Sequence, residues 1–101
     1  MSLSKKYLKN KTCNVTFRIP KNEVTTAKSV SLVGEFNNWD TKATPMKKLK
    51  NGSFTIGIQL NTEKEYQYRY LIDGKNWISD HEADKLVHSA FGNCENSVVS
   101  V

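Results

Sequence analysis

Glu65-Tyr66-Gln67-Tyr68-Arg69-Tyr70-Leu71-Ile72-Asp73-Gly74 is the stretch that decides how this chain folds. In an extended backbone, alternate side chains point to opposite faces. Tyr66, Tyr68, Tyr70 and Ile72 then share one face, and Gln67, Arg69 and Leu71 share the other. A helix would mix the two sets, so the period of two predicts a strand with one buried face. Asp73-Gly74 predicts a tight turn at its end.

The same pattern recurs on both sides of this strand. From Cys13 to Pro20, Val15, Phe17 and Ile19 alternate with Asn14, Thr16 and Arg18. Pro20 ends that run because proline has no N–H for a ladder. Further strands are predicted at Ser29–Glu35, Met46–Leu49, Ser53–Leu60, Lys75–Ile78 and Val98–Val101, with a turn at Asn51-Gly52. Residues 79–95 read as a long charged loop. No segment carries a helical period. The prediction is an all-β, immunoglobulin-like antiparallel β-sandwich of about seven strands. Its 101 residues suit one domain. Residues 1–11 read as a flexible basic tail, and 12–101 as the domain.

Composition removes several functions. No apolar run approaches the ~18–20 residues that span a bilayer, so no membrane role is expected. The basic start has no apolar stretch behind it, which reads as no secretory signal. Cys13 and Cys94 lie far apart without a second pair, so no metal site is expected, and they read as free thiols in the cytoplasm. The net charge is +5. Lys5, Lys6, Lys9 and Lys11, and Lys47, Lys48 and Lys50, read as solvated surface rather than a nucleic-acid face. Asp80-His81-Glu82-Ala83-Asp84, with His88 nearby, is the densest polar cluster. It carries no nucleophile elbow, zinc motif or phosphate loop, and reads as a charged loop in solvent. The chain reads as non-catalytic and without a cofactor.

The tryptophans are more informative. Trp39 follows the polar turn after a strand, and Trp77 follows the Asp73-Gly74 turn. Neither occupies an alternating apolar face. Exposed indoles in a pair suggest recognition. An indole packs on the C–H face of a sugar, with amide and cationic donors meeting its hydroxyls. The same groups also stack bases or form half of a protein interface.

Val30-Ser31-Leu32-Val33-Gly34-Glu35-Phe36-Asn37-Asn38-Trp39 resembles the strand and Gly-x-Phe-Asn-Asn-Trp signature of carbohydrate-binding module family 48. Tyr66 to Gly74 is similar to the family's aromatic strand and Asp-Gly turn. Asn96-Ser97-Val98-Val99 is similar to its closing strand. The resemblance covers about residues 13–101. The family includes the glycogen-binding domain of the AMP-activated protein kinase beta subunit. It also includes the early-set domains of isoamylases and glycogen branching enzymes.

The resemblance implies an early-set sandwich that binds α-1,4-linked glucan: glycogen, starch or maltooligosaccharides. It implies Trp39 and Trp77 as stacking platforms. Arg69 would hydrogen-bond sugar hydroxyls, helped by Lys75. Phe91 corresponds to an apolar contact, and a polar contact falls on Glu95 or Asn96, with Asn96 preferred. The alternative is a protein-interaction module that docks a glycogen-metabolising enzyme or a kinase-like partner without binding sugar itself.

Overall fold

A computed structural model provides the structure of the chain and describes residues 2–24, 26–80, 82–88 and 95–101. Phe91 and Cys94 lie outside the described residues. Nine strands are found among those described: β1 (Ser2–Tyr7), β2 (Thr12–Ile19), β3 (Val30–Gly34), β4 (Lys47–Lys48), β5 (Phe54–Asn61), β6 (Glu65–Ile72), β7 (Asn76–Ile78), β8 (Lys85–His88) and β9 (Glu95–Ser100). They form two antiparallel sheets. One has the order β1-β2-β5-β4; the other has the order β3-β6-β9-β8, with β7 also paired to β6. This is the predicted β-sandwich.

The core lies between the inward faces of β2 and β6. Cys13, Val15, Phe17 and Ile19 are buried on β2, and Tyr68 and Tyr70 on β6. Phe17 meets Tyr68 edge-on, with ring centroids 5.0 Å apart, and Tyr68 meets Tyr70 in the same way at 5.7 Å. Cys13 is a buried free thiol.

Two strands depart from the sequence reading. Ser2–Tyr7 is not a loose tail: it pairs along its whole length with β2, from Ser2 opposite Arg18 to Tyr7 opposite Cys13. Two features hid it. Its turn uses Asn10 and Lys11 at positive φ (67° and 55°), without a glycine. Its alternation is broken because Lys5 takes an inward position opposite Val15, where Asp84 accepts its charge at 2.7 Å. The other is β8, which lies within the predicted loop and carries only Leu86 and Val87 as apolar residues. The turn at Asn51-Gly52 forms, but as a three-residue loop, Lys50 to Gly52, closed by the Leu49 N–H on the Ser53 carbonyl at 2.7 Å, rather than as a two-residue Asn-Gly turn. Gly52 has a φ of 89°, and Asn51 Oδ1 accepts from the Ser53 N–H at 3.0 Å.

Asp80 corrects a further expectation. It is fully buried, not part of a loop in solvent. The Tyr68 hydroxyl donates to its Oδ2 at 3.0 Å, and the Glu82 N–H donates to its Oδ1 at 2.9 Å. The Asp80 N–H donates to Ser97 Oγ at 2.5 Å. Desolvation pushes the Asp80 carboxyl above the ordinary carboxylate range, against the pull of the hydrogen bonds from Glu82 and Tyr68. The Tyr70 hydroxyl is also buried and has no partner among the described residues.

Tyr68→Phe would strip a donor from a buried carboxylate, and a loss of about 1–3 kcal/mol is expected in urea unfolding. Tyr70→Phe removes a hydroxyl that has no hydrogen-bond partner among the described residues, so stability should stay level or rise by about 1 kcal/mol. A large loss from Tyr70→Phe would contradict this assignment. Because the folded state raises the Asp80 pKa, folding binds its proton more tightly. Its contribution to stability therefore falls as pH rises from the ordinary carboxylate value through the raised one. Wild-type stability measured against Asp80→Asn should decline across that interval.

Candidate functional site

The site grows from the outward face of β6. With Tyr68 and Tyr70 turned inward, Gln67 and Arg69 must face out. β6 has two partners on one side: β9 covers Glu65 to Tyr68, and β7 covers Tyr70 to Ile72. Arg69 lies at the joint between them. Trp77 sits directly across from Leu71 on β7, and Val98 across from Gln67 on β9. Val33, Leu71 and Val98 are buried yet stand outside the main core cluster. By register they belong to this outer face, and they give it an apolar base.

A groove of about 620 Å3 opens here, lined by Glu35, Trp39, Thr41, Gln67, Arg69, Trp77 and Asn96. Trp39 and Trp77 remain 39% and 40% exposed, so both indoles are available to a ligand. The Arg69 guanidinium lies 5.3 Å from the Trp77 ring centroid, a cation–π contact that orients both groups. The Arg69 Nε is buried without a partner among the described residues. Asn96 Nδ2 donates to Gln67 Oε1 at 2.9 Å. Glu35 Oε1 accepts from the Gln67 N–H at 2.6 Å, continuing the ladder just past the last β3 pair, Gly34 and Tyr68.

The Gly34–Trp39 turn has a physical reason at nearly every position. A Cβ on Gly34 would stand 2.6 Å from the Gln67 carbonyl and 2.8 Å from Tyr68 Cβ. Phe36 turns inward toward Phe17, with centroids 5.9 Å apart. Asn37 knits the turn: its Oδ1 accepts from the Gly34 N–H at 3.1 Å, and its Nδ2 donates to the Leu32 carbonyl and to Thr44 Oγ1 at 2.9 and 3.0 Å. Asn38 and Trp39 both adopt a φ of 57°. That left-handed conformation is costly for a bulky side chain. The Trp39 N–H holds it in place by donating to the Gly34 carbonyl at 2.9 Å.

The Trp77 hairpin is pinned as well. Asp73 and Gly74 take φ values of 52° and 68°, and the Lys75 N–H closes the turn onto the Ile72 carbonyl at 3.0 Å. Asp73 Oδ1 accepts from the Ser29 and Lys28 N–H groups at 2.9 and 2.8 Å. These bonds, Ser29 first, hold the Asp73 carboxyl below the ordinary carboxylate range.

Four of the six residues singled out from sequence therefore meet at one groove: Trp39, Arg69, Trp77 and Asn96. Lys75 is exposed at the hairpin tip and does not line it. Phe91 lies outside the described residues. Glu35, Thr41 and Gln67 were not anticipated. Gln67 shares the parity of Arg69, and that was its available signal. Among the described residues no cluster of metal-ligating side chains occurs, and no helix is long and apolar enough to cross a membrane.

The profile of the family described as "Carbohydrate-binding module 48 (Isoamylase N-terminal domain)" matches residues 24–92. The 5'-AMP-activated protein kinase subunit beta-2 of Mus musculus, of Rattus norvegicus and of Homo sapiens is in each case 37% identical over 71 residues. The match takes in 70% of this chain and 24% of each relative, so the chain spans about a quarter of their length.

Gly34→Ala should cost about 1–3 kcal/mol through overpacking. It should also change the Trp39 fluorescence, because the Gly34 carbonyl holds the Trp39 turn. Gly57 supplies the control, since a Cβ there meets nothing closer than 3.8 Å. Equal stability of Gly34→Ala and Gly57→Ala would show that the close approach is not a constraint.

Proposed function

The chain belongs to the carbohydrate-binding module 48 family, and from that membership we propose that it is a non-catalytic module that binds α-1,4-linked glucan in the groove between Trp39 and Trp77. One observation carries the reading: two exposed indoles, one from the turn after β3 and one from β7, line a single open groove that also holds an arginine and two side-chain amides. This is the equipment a sugar needs. The C–H faces of successive glucose units pack on the indoles, which removes apolar surface from water. Arg69 donates to ring hydroxyls, with its guanidinium already held over Trp77. Asn96, nearly buried at 7% exposure, reaches the same groove from β9. Stacking comes from Trp39 and Trp77, and orientation from Arg69 and Asn96.

An open groove buries only part of a ligand, so affinity is expected between micromolar and millimolar, about 4–8 kcal/mol in total. The ligand is uncharged, so binding should barely respond to salt. A phosphate-binding site would lose affinity steeply.

Intrinsic fluorescence of the folded protein should change saturably with maltoheptaose and not with cellohexaose. Trp39→Ala and Trp77→Ala should each remove about 2 kcal/mol of binding. The curves should coincide at low and high salt. A folded wild type that ignores millimolar maltoheptaose would overturn the reading in favour of a protein-docking surface.

A further inference from the structure

Four large apolar side chains are exposed among the described residues, and they fall in two places. Trp39 and Trp77 line the groove. Tyr7 and Leu8 adjoin each other at the end of β1, and Tyr7 is the most exposed of the four at 60%. Tyr7 takes an inward position opposite the buried Cys13, but β1 is the edge of its sheet, so no further strand flanks the ring. A second hollow of about 450 Å3 opens beside it, lined by Tyr7, Glu63, Lys64, Glu65, Ser100 and Val101. It shares no lining residue with the groove. Glu65 stands four residues before Arg69 on β6, about 13 Å along the strand.

The walls of the hollow are fixed. The Glu63 N–H donates to the Val101 carbonyl at 2.9 Å, and the Val101 N–H donates to the Lys64 carbonyl at 3.0 Å, which ties the β5–β6 turn to the end of β9. Asp84 Oδ2 accepts from Lys5 Nζ and from the Ser100 N–H, both at 2.7 Å, which ties β1 to the same strand end. The charges here balance. Glu65 Oε2 is paired with Lys85 at 2.8 Å and accepts from Ser100 Oγ at 2.9 Å. Glu63 and Lys64 have no ion-pair partner among the described residues, and they carry opposite charges side by side.

An anion or a cation would find no net countercharge in such a place. A neutral ligand with many hydroxyls finds a donor in Lys64, an acceptor in Glu63 and an exposed aromatic ring. We propose that this hollow is a second saccharide site, separate from the groove, where one sugar ring packs on Tyr7 and exchanges hydrogen bonds with Glu63 and Lys64. The identity of the sugar as α-glucan rests on the reading above, whereas the hollow stands on its own residues. Two sites on one domain hold a polymer at two points, so a polymeric glucan gains more from the pair than a short oligosaccharide does.

Amide-resolved NMR of the isotope-labelled chain, titrated with maltotriose, tests this. Two sets of backbone amides should move saturably with different dissociation constants, one around Trp39, Gln67 and Asn96 and one around Tyr7, Lys64 and Ser100. Trp39→Ala should weaken only the first set. Tyr7→Ala should abolish the second set and leave the first within two-fold; it should also cut retention in a glycogen-containing gel at least three-fold. Tyr7→Phe keeps the ring and should hold the second set within three-fold, which separates stacking from damage to β1. A second set that stays still in the wild type at tens of millimolar sugar, while the first moves, would overturn the proposal and leave the groove intact. So would a second set unaltered in Tyr7→Ala. Movement of the second set alone would uphold the hollow and overturn the groove as the glucan site; stillness of both sets would overturn both.

Discussion

A carboxylate without access to water ties together the pieces of chain on which the groove stands. Asp80 receives the Tyr68 hydroxyl of β6 and sends its own N–H to Ser97 of β9. It also lies just beyond the end of β7. Gln67 and Arg69 flank Tyr68, Asn96 precedes Ser97, and Trp77 sits three residues before Asp80. The polar node inside the sandwich and the groove outside it are thus opposite ends of the same residues' neighbourhoods. Burying the charge is expensive, which is why its carboxyl is pushed upward. What offsets the cost is that three elements keep one register.

The second constraint is local. Asn38 and Trp39 occupy the left-handed region consecutively, and neither is glycine. Asn37 spends its whole side-chain amide on the turn, bonding Gly34, Leu32 and Thr44. Phe36 anchors the same turn to the core near Phe17 and Tyr68. The backbone geometry of the turn directs the indole toward the groove and leaves it 39% exposed there.

Much of this was legible in the sequence because strands announce themselves through period two. The inward tyrosines of β6 dictate its outward residues, and so the sequence alone puts Arg69 on the outer face. The turn residues Asp73-Gly74 and Asn51-Gly52 were read from their tolerance of unusual φ. The misses at Lys5 and Asp80 share a cause: each side chain points inward to a partner far away in sequence. Lys5 points inward because Asp84 meets it, and Asp80 is buried because Tyr68 and Ser97 do. No local pattern reports such pairings. Glu35 and Thr41 reach the groove through the path of a loop, which has no period to read. Lys75 was drawn toward the site by its closeness in sequence to Trp77, yet the turn carries it to the tip.

The split partnership along β6 has a consequence for variation. β7 and β9 lie end to end beside one strand, each with its own hydrogen-bonded register. The chain leaves β7 at Ile78, buries Asp80 against Tyr68 and Ser97, and returns to the same sheet as β8, which pairs with β9 from Lys85 opposite Val98 to His88 opposite Glu95. Trp77 is set beside β6 by the β7 ladder and Asn96 by the β9 ladder, and Asp80 joins the two. The fold therefore behaves as a socket with two walls and one buried latch between them: a substitution at Asp80 would reach the groove through both walls at once.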